Sequence, residues 1–167
     1  MWCAARFAVG YMNGVAECVV DIESEDEGRE FDFHLCTVGC RYPFQVAEVL
    51  DSERRRGDEY RNHFQEEVES LQNERDFEPA SYAARRVQEE LVAKAKKHYA
   101  GAEGLHILLY LNVKASSVSW VSLADDAEPQ ARKFASVWLV TQDLYCCLHG
   151  GNVWQGLVHW RAIARGM

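Results

Sequence analysis

Prolines are scarce, three in all, and no Gly-, Ser- or Pro-rich linker interrupts the chain, which argues against tethered domains and low-complexity architecture. No apolar run approaches the roughly 20 residues that a membrane-spanning helix needs. The opening Met1-Trp2-Cys3-Ala4-Ala5-Arg6 lacks the apolar core of a signal peptide. A soluble, cytoplasmic protein with no membrane partner is the expectation. Positive charge is in deficit, with 18 Lys and Arg against 26 Asp and Glu and a net charge of −8. That balance argues against a protein whose main task is to coat phosphate backbones, since such binding needs a concentrated basic surface, and leaves room for a local basic groove. Neither G-x-x-x-x-G-K-[ST] nor G-x-G-x-x-G occurs, so phosphate-loop and dinucleotide chemistry has no motif to rest on, and no G-x-S-x-G elbow offers a serine nucleophile.

Cysteine is present but sparse in pattern. The six residues, at 3, 18, 36, 40, 146 and 147, lack the dense spacing of a disulfide framework, and reduced thiols are expected. Cys36 and Cys40 straddle a turn and could grip zinc with two of His34, His106, His149 or His159. No second cysteine pair supports that, and ordinary buried cysteine outweighs it. In a strand, Cys146 and Cys147 would face opposite ways.

What is there suffices for one substantial core: 167 residues, 48% of them hydrophobic and 11% aromatic. Residues 1–167 read as a single domain. Gly10, Asn13 and Gly14 suggest a short first element followed by a strand over Val15 to Ile22. The acid-rich run from Asp21 to Glu30 lacks the spacing of a calcium loop and reads as solvated loop. Phe31 to Val38 alternates with period two, Gly39 to Pro43 is a turn, and Phe44 to Leu50 is a second strand, together a hairpin. Asp51-Ser52-Glu53 opens a helix whose stripe is Tyr60, Phe64, Val68 and Leu71. A second helix runs from Ser81 to about Tyr99. Leu105 to Leu111 is a continuous apolar run of the kind found in strands covered on both faces. A short helix over Asp125 to Phe134, a buried strand over Ala135 to Val140 and its partner Leu144 to Leu148 follow, then an aromatic tail from Val153 to Ile163. The expected fold is α/β, a central mixed sheet opened by the hairpin and flanked by helices.

Two acids stand out on the hairpin, Asp32 at the head of one strand and Glu48 in the next. With Asp32-Phe33, Val46-Ala47-Glu48-Val49-Leu50-Asp51, the basic Arg54-Arg55-Arg56 and Lys94-Ala95-Lys96-Lys97-His98-Tyr99, the stretch from Phe31 to Val140 resembles the restriction-endonuclease-like, or PD-(D/E)XK, superfamily. Within it the chain is similar to small phage and bacterial open reading frames with a degenerate active site. The resemblance implies a restriction-endonuclease-like fold and two carboxylates holding magnesium against a scissile phosphate, with a lysine activating water. Aligning the strand in the family's way puts Gln45 where the Glu belongs and Ala47 where the Lys belongs. Glu48 substitutes only if a bulge turns it to the Asp32 side, because strand neighbours face oppositely. Lys94 lies at the border of the apolar face of its helix and Gln88 within that face, so a migrated lysine is available. Lys96 and Lys97 point away.

The candidate set is therefore Asp32, Gln45, Glu48 and Lys94 as catalytic residues, Asp32 and Glu48 as metal ligands, and Arg54, Arg55, Lys96 and Lys97 as contacts to nucleic acid. Each has a plainer alternative. Asp32 and Glu48 could cap the hairpin or bond Arg41, Lys94 could lay its stem along the core edge, and the arginines could form a salt-bridged helix face. His34, two residues from Asp32, could serve as a base or simply be hydrogen-bonded. Two functions remain open. One is a nuclease-fold protein with a degenerate magnesium site, weak or inactive as an endonuclease-like phosphodiesterase. The other is an acidic inhibitor, immunity or anti-defence factor from a mobile element, engaging a nucleic-acid-handling protein by charge. A homodimer built on the aromatic tail is compatible with either.

Overall fold

A computed structural model of the chain describes residues 2–22, 31–50, 80–97, 99, 101–112, 127–150 and 161–163. The expected helix from Asp51 with its Arg54 and Arg55, nearly all of the acidic run, and most of the tail lie outside the described residues.

The described strands form one seven-stranded mixed sheet, and their order in space is their order in sequence. These are β1 (Val19–Asp21), β2 (Phe33–Thr37), β3 (Cys40–Leu50), β4 (His106–Asn112), β5 (Ser136–Val140), β6 (Leu144–His149) and β7 (Arg161–Ala162). Pairing is antiparallel at both flanks and parallel in the centre, from β3 to β4 and from β4 to β5. Helix α1 (Trp2–Gly14) lies on one face, and α2 (Ala80–Lys96) on the other, where it forms the crossover between the parallel strands β3 and β4. The expected mixed α/β architecture is the one observed.

The start of the chain differs from the sequence expectation. It is helical through Gly14, and the strand after it covers only three residues. Ala4, Phe7, Ala8 and Tyr11 recur at helical spacing and bury against the sheet. The glycines that read as turn signals are close-approach positions instead. A Cβ on Gly10 would lie 2.7 Å from the ring of Tyr145, so only glycine lets the helix settle on β6 at that depth.

The hairpin turns earlier than expected, at Val38 and Gly39, and Gly39 takes a φ of 80° that side chains rarely allow. Pro43 therefore sits inside β3. It is tolerated because β4 begins to pair only at the next residue, Phe44 with His106, so the missing N–H removes no bond on that side.

Two cores result. The α1 side holds Phe7, Tyr11, Phe33, Leu35, Phe44, Trp138 and Tyr145. The α2 side holds Val49, Val87, Leu91, Ile107, Leu109, Val137 and Leu139. Strand alternation sorts β4 between them, which is why its apolar run is unbroken. Cys146 and Cys147 divide the same way, one to each core, and all six cysteines are free thiols.

Candidate functional site

The two faces decide which candidate residues meet. On β3, Phe44 and Val46 belong to the α1 side, and Ala47 and Val49 to the α2 side. By alternation Gln45 shares the α2 side and Glu48 the α1 side. On β2, Phe33 and Leu35 face α1, which places His34 with α2. The pairing of β2 with β3 ends at Phe33 and Phe44, and Asp32 precedes it at an exposed bend. No register shift occurs between β2 and β3 or between β3 and β4, and the bulge needed to turn Glu48 round is absent from the described pairing. Glu48 stays on the α1 side, bonded to Asn112, while the Asp32 carboxylate sits at the edge of β3 on the Val46 N–H. Among the described residues Asp32 bonds neither Glu48 nor Gln45.

Asp32, at an exposed bend just before β2, caps the edge of β3. Its N–H donates to the Phe44 carbonyl at 2.7 Å, and its Oδ2 accepts the Val46 N–H at 2.6 Å. Arg41 bonds Asp21 instead, at 2.7 Å. Glu48 accepts a bond from Asn112 Nδ2 at 3.0 Å.

Helix α2 supplies the lysine. Ala83, Val87, Leu91 and Lys94 form its buried stripe, and Lys94 is only 8% exposed. Lys96 and Lys97 are exposed, in keeping with the helical spacing. The start of the helix is tied to the end of β3, where Arg86 Nε donates to the Leu50 carbonyl at 2.9 Å. From Arg86 to Lys94 the helix rises about 12 Å, the length of nearly four strand residues at about 3.3 Å each. Running back along β3, the helix carries buried Lys94 over the side that Gln45 and Ala47 occupy.

The surroundings are mostly apolar but contain buried polar atoms, among them His34 Nδ1, the Tyr99 hydroxyl and Gln45 Oε1. Gln45 Oε1 has no hydrogen-bond partner among the described residues. The ring of His34 lies against Phe31, with centroids 4.3 Å apart. Lys133 Nζ, donating to the Ala95 carbonyl at 3.3 Å, adds a cation near exposed Lys96 and Lys97. Lysines there also suit the negative end of the helix dipole.

Magnesium favours six oxygen ligands, usually with one or two carboxylates. The candidate groups offer the Asp32 carboxylate, already bonded to Val46, and the neutral amide oxygen of Gln45. Among the described residues no three His, Cys, Asp or Glu side chains converge. The set does not fit a firmly held magnesium ion. Zinc at Cys36 and Cys40 fares no better: Cys36 pairs with Arg41 and Cys40 with Thr37, so the two thiols project to opposite faces.

A further polar cluster escaped the sequence reading. Parallel pairing of β4 with β5 sets His106 beside Ser136, 30 residues away, and no local motif announces it. Trp138 Nε1 donates to Ser136 Oγ at 2.8 Å, and the same Oγ lies 2.5 Å from His106 Nδ1. The hydroxyl accepts the indole proton and shares a second hydrogen bond with His106 Nδ1, in which the serine donates or accepts according to the imidazole tautomer. Burial pushes the His106 pKa down to about 4. Ser136 is 0% exposed and His106 stacks on Phe44 at 4.9 Å. A serine this inaccessible is a core contact rather than a nucleophile.

Fold and site define a mixed-sheet α/β protein with a polar corner on the helix-crossover face. The chain belongs to the family described as "Putative endonuclease, protein of unknown function (DUF1780)", whose model matches residues 25–152. No curated protein matches the chain. A solved structure that it resembles is that of PA4535 from Pseudomonas aeruginosa strain PAO1, described as a protein of unknown function of the monooxygenase superfamily. That likeness has a TM-score of 0.56 at 14% identity and covers 99% of this chain and 81% of the other. At such identity it speaks to the fold alone.

No helix among the described residues is long and apolar enough to cross a membrane.

Proposed function

We propose that this protein is a nuclease-fold protein that binds nucleic acid, with an active site of the restriction-endonuclease-like kind reduced to Asp32, Gln45 and Lys94 and with weak or no phosphodiesterase activity. The observation that supports this reading is buried Lys94 on the helix over the face that Gln45 shares, with Asp32 at the head of the same hairpin, in a member of a family described as "Putative endonuclease". Lys96 and Lys97, exposed beyond Lys94, are the cations best placed to meet phosphate. Replacement of the second carboxylate by an amide explains the expected weakness. A site with one charged oxygen holds a divalent cation loosely, and a loosely held cation polarises phosphate poorly. Glu48 has no part in this site.

The test is a panel of single- and double-stranded DNA and RNA, assayed for binding and for magnesium- or manganese-dependent cleavage. Binding that weakens in Lys96→Ala/Lys97→Ala is expected, with cleavage slow and abolished by Asp32→Ala. Rapid cleavage that survives Asp32→Ala would place the chemistry elsewhere, and absence of binding to every member of the panel would remove the reading. Nothing in the structure favours the acidic inhibitor. Its acid-rich stretches, from Glu23 to Glu30 and from Asp51 to Glu78, lie outside the described residues.

A further inference from the structure

Glu48, left out of the α2-side corner, belongs to a cluster on the opposite face. Tyr110 is its Cα partner on β4, and Asn112 lies two residues on, projecting the same way, with its Nδ2 bonded to Glu48 Oε1 at 3.0 Å. The first turn of α1 closes over them. Trp2 meets the Tyr110 ring edge-on, centroids 5.4 Å apart and planes at 70°. The Cys3 thiol, next to Trp2, is raised in pKa chiefly by burial and least by the charge of Glu48. Trp2 nonetheless remains 50% exposed. An indole braced by a second ring yet open to solvent is a stacking platform, and a carboxylate–carboxamide pair stands beside it.

The geometry points to a site for an unpaired nucleobase, which stacks on Trp2 and turns its edge toward Glu48 and Asn112. This inference rests on the proposed association with nucleic acid and names how one part of that ligand is recognised. Every base has a face to stack, so the indole supplies affinity without sequence preference. The carboxylate supplies the preference. It only accepts hydrogen bonds, so it matches the exocyclic amino groups of adenine, cytosine and guanine, whereas the one edge donor of thymine or uracil, N3–H, lies between two carbonyls that the charge repels. The same charge repels phosphate, which fixes the base rather than the backbone as the group that enters.

Fluorescence anisotropy with labelled single-stranded homo-oligonucleotides of adenine, cytosine or thymine, titrated with the full chain, tests this. Adenine and cytosine strands should bind more tightly than thymine strands. Trp2→Ala should weaken binding about tenfold, Trp2→Phe less, and Glu48→Gln should level the preference among bases. Circular dichroism checks that each variant folds, and Trp2→Phe and Glu48→Gln keep the test valid if Trp2→Ala does not. Binding indifferent to both positions and to the base would overturn the inference while leaving the proposed function standing. Failure of the wild type to bind any strand would overturn both. Binding that needs Trp2 but ignores Asp32→Ala and Lys96→Ala/Lys97→Ala would keep the base site and remove the α2-side assignment.

Discussion

The two faces of the sheet are built on different principles. On the α1 side, Phe7 packs against Tyr11, Phe44 and Trp138 at centroid separations of 5.8, 5.4 and 5.1 Å, and Phe33 stacks on Phe44 at 5.1 Å. The polar groups buried among these rings, His106, Ser136 and Trp138 Nε1, bond one another. On the α2 side the packing is mainly aliphatic, and it admits Lys94 and an amide oxygen of Gln45 that has no hydrogen bond among the described residues. Buried polar groups in folded proteins are almost always satisfied, and the exceptions collect where function requires them. The contrast assigns stability chiefly to the aromatic face and the candidate chemistry to the aliphatic one.

The strongest blow to that contrast would fall on Phe7. It is 0% exposed and touches three rings, so Phe7→Ala should cost about 3–5 kcal/mol, read as a lowered urea midpoint. A cost below about 1 kcal/mol would mean that α1 is not docked as described and that the aromatic face is not the store of stability.

How much of this was legible in the sequence depends on whether a local pattern was enough. The run from Leu105 to Leu111 announces a strand covered on both faces, and β4 is one. The spacing of Val87, Leu91 and Ala95 places Lys94 at the border of a buried face, and it is buried. Alternation along β3 separates Gln45 from Glu48 before any coordinates are known. What could not be read are features that depend on distant partners. Gly10 looks like a turn until Tyr145, far along the chain, is laid against it. His106 looks like an ordinary core histidine until the β4–β5 register brings Ser136 and Trp138 beside it. The level of Lys94 along β3 depends on where α2 begins, fixed by the bond from Arg86 to Leu50.

An intermediate effect should come from His106 and follow pH. An unfolded histidine titrates near 6.5, while burial holds His106 down to about 4. Between those values the unfolded chain binds a proton that the folded chain refuses, so stability is complete above about pH 6.5 and falls as pH drops toward 4. The decline is about 1.4 kcal/mol per pH unit, or about 3 kcal/mol in all. His149, also lowered by burial, adds to it in the same direction. Urea unfolding between pH 7 and pH 4.5 measures the slope, and His106→Gln should flatten most of it. An unchanged slope in that variant would show that the aromatic face is not the acid-labile one.

The smallest effects sharpen the contrast best, because they differ in sign. On the aromatic face, Ser136→Ala removes a hydroxyl on which both Trp138 Nε1 and His106 Nδ1 depend, and it should cost about 1–3 kcal/mol. On the aliphatic face, Gln45→Met keeps the length of the side chain and deletes an amide oxygen that bonds nothing among the described residues. It should be neutral or stabilise by up to about 1 kcal/mol, measured as the thermal midpoint, while nucleic-acid binding or residual cleavage declines. A gain in stability coupled to a loss of function is the mark of a polar group kept for what it does to a ligand. If Gln45→Met destabilised the chain as Ser136→Ala is expected to, the amide would be a structural group like those across the sheet, and the division of labour between the two faces would be lost.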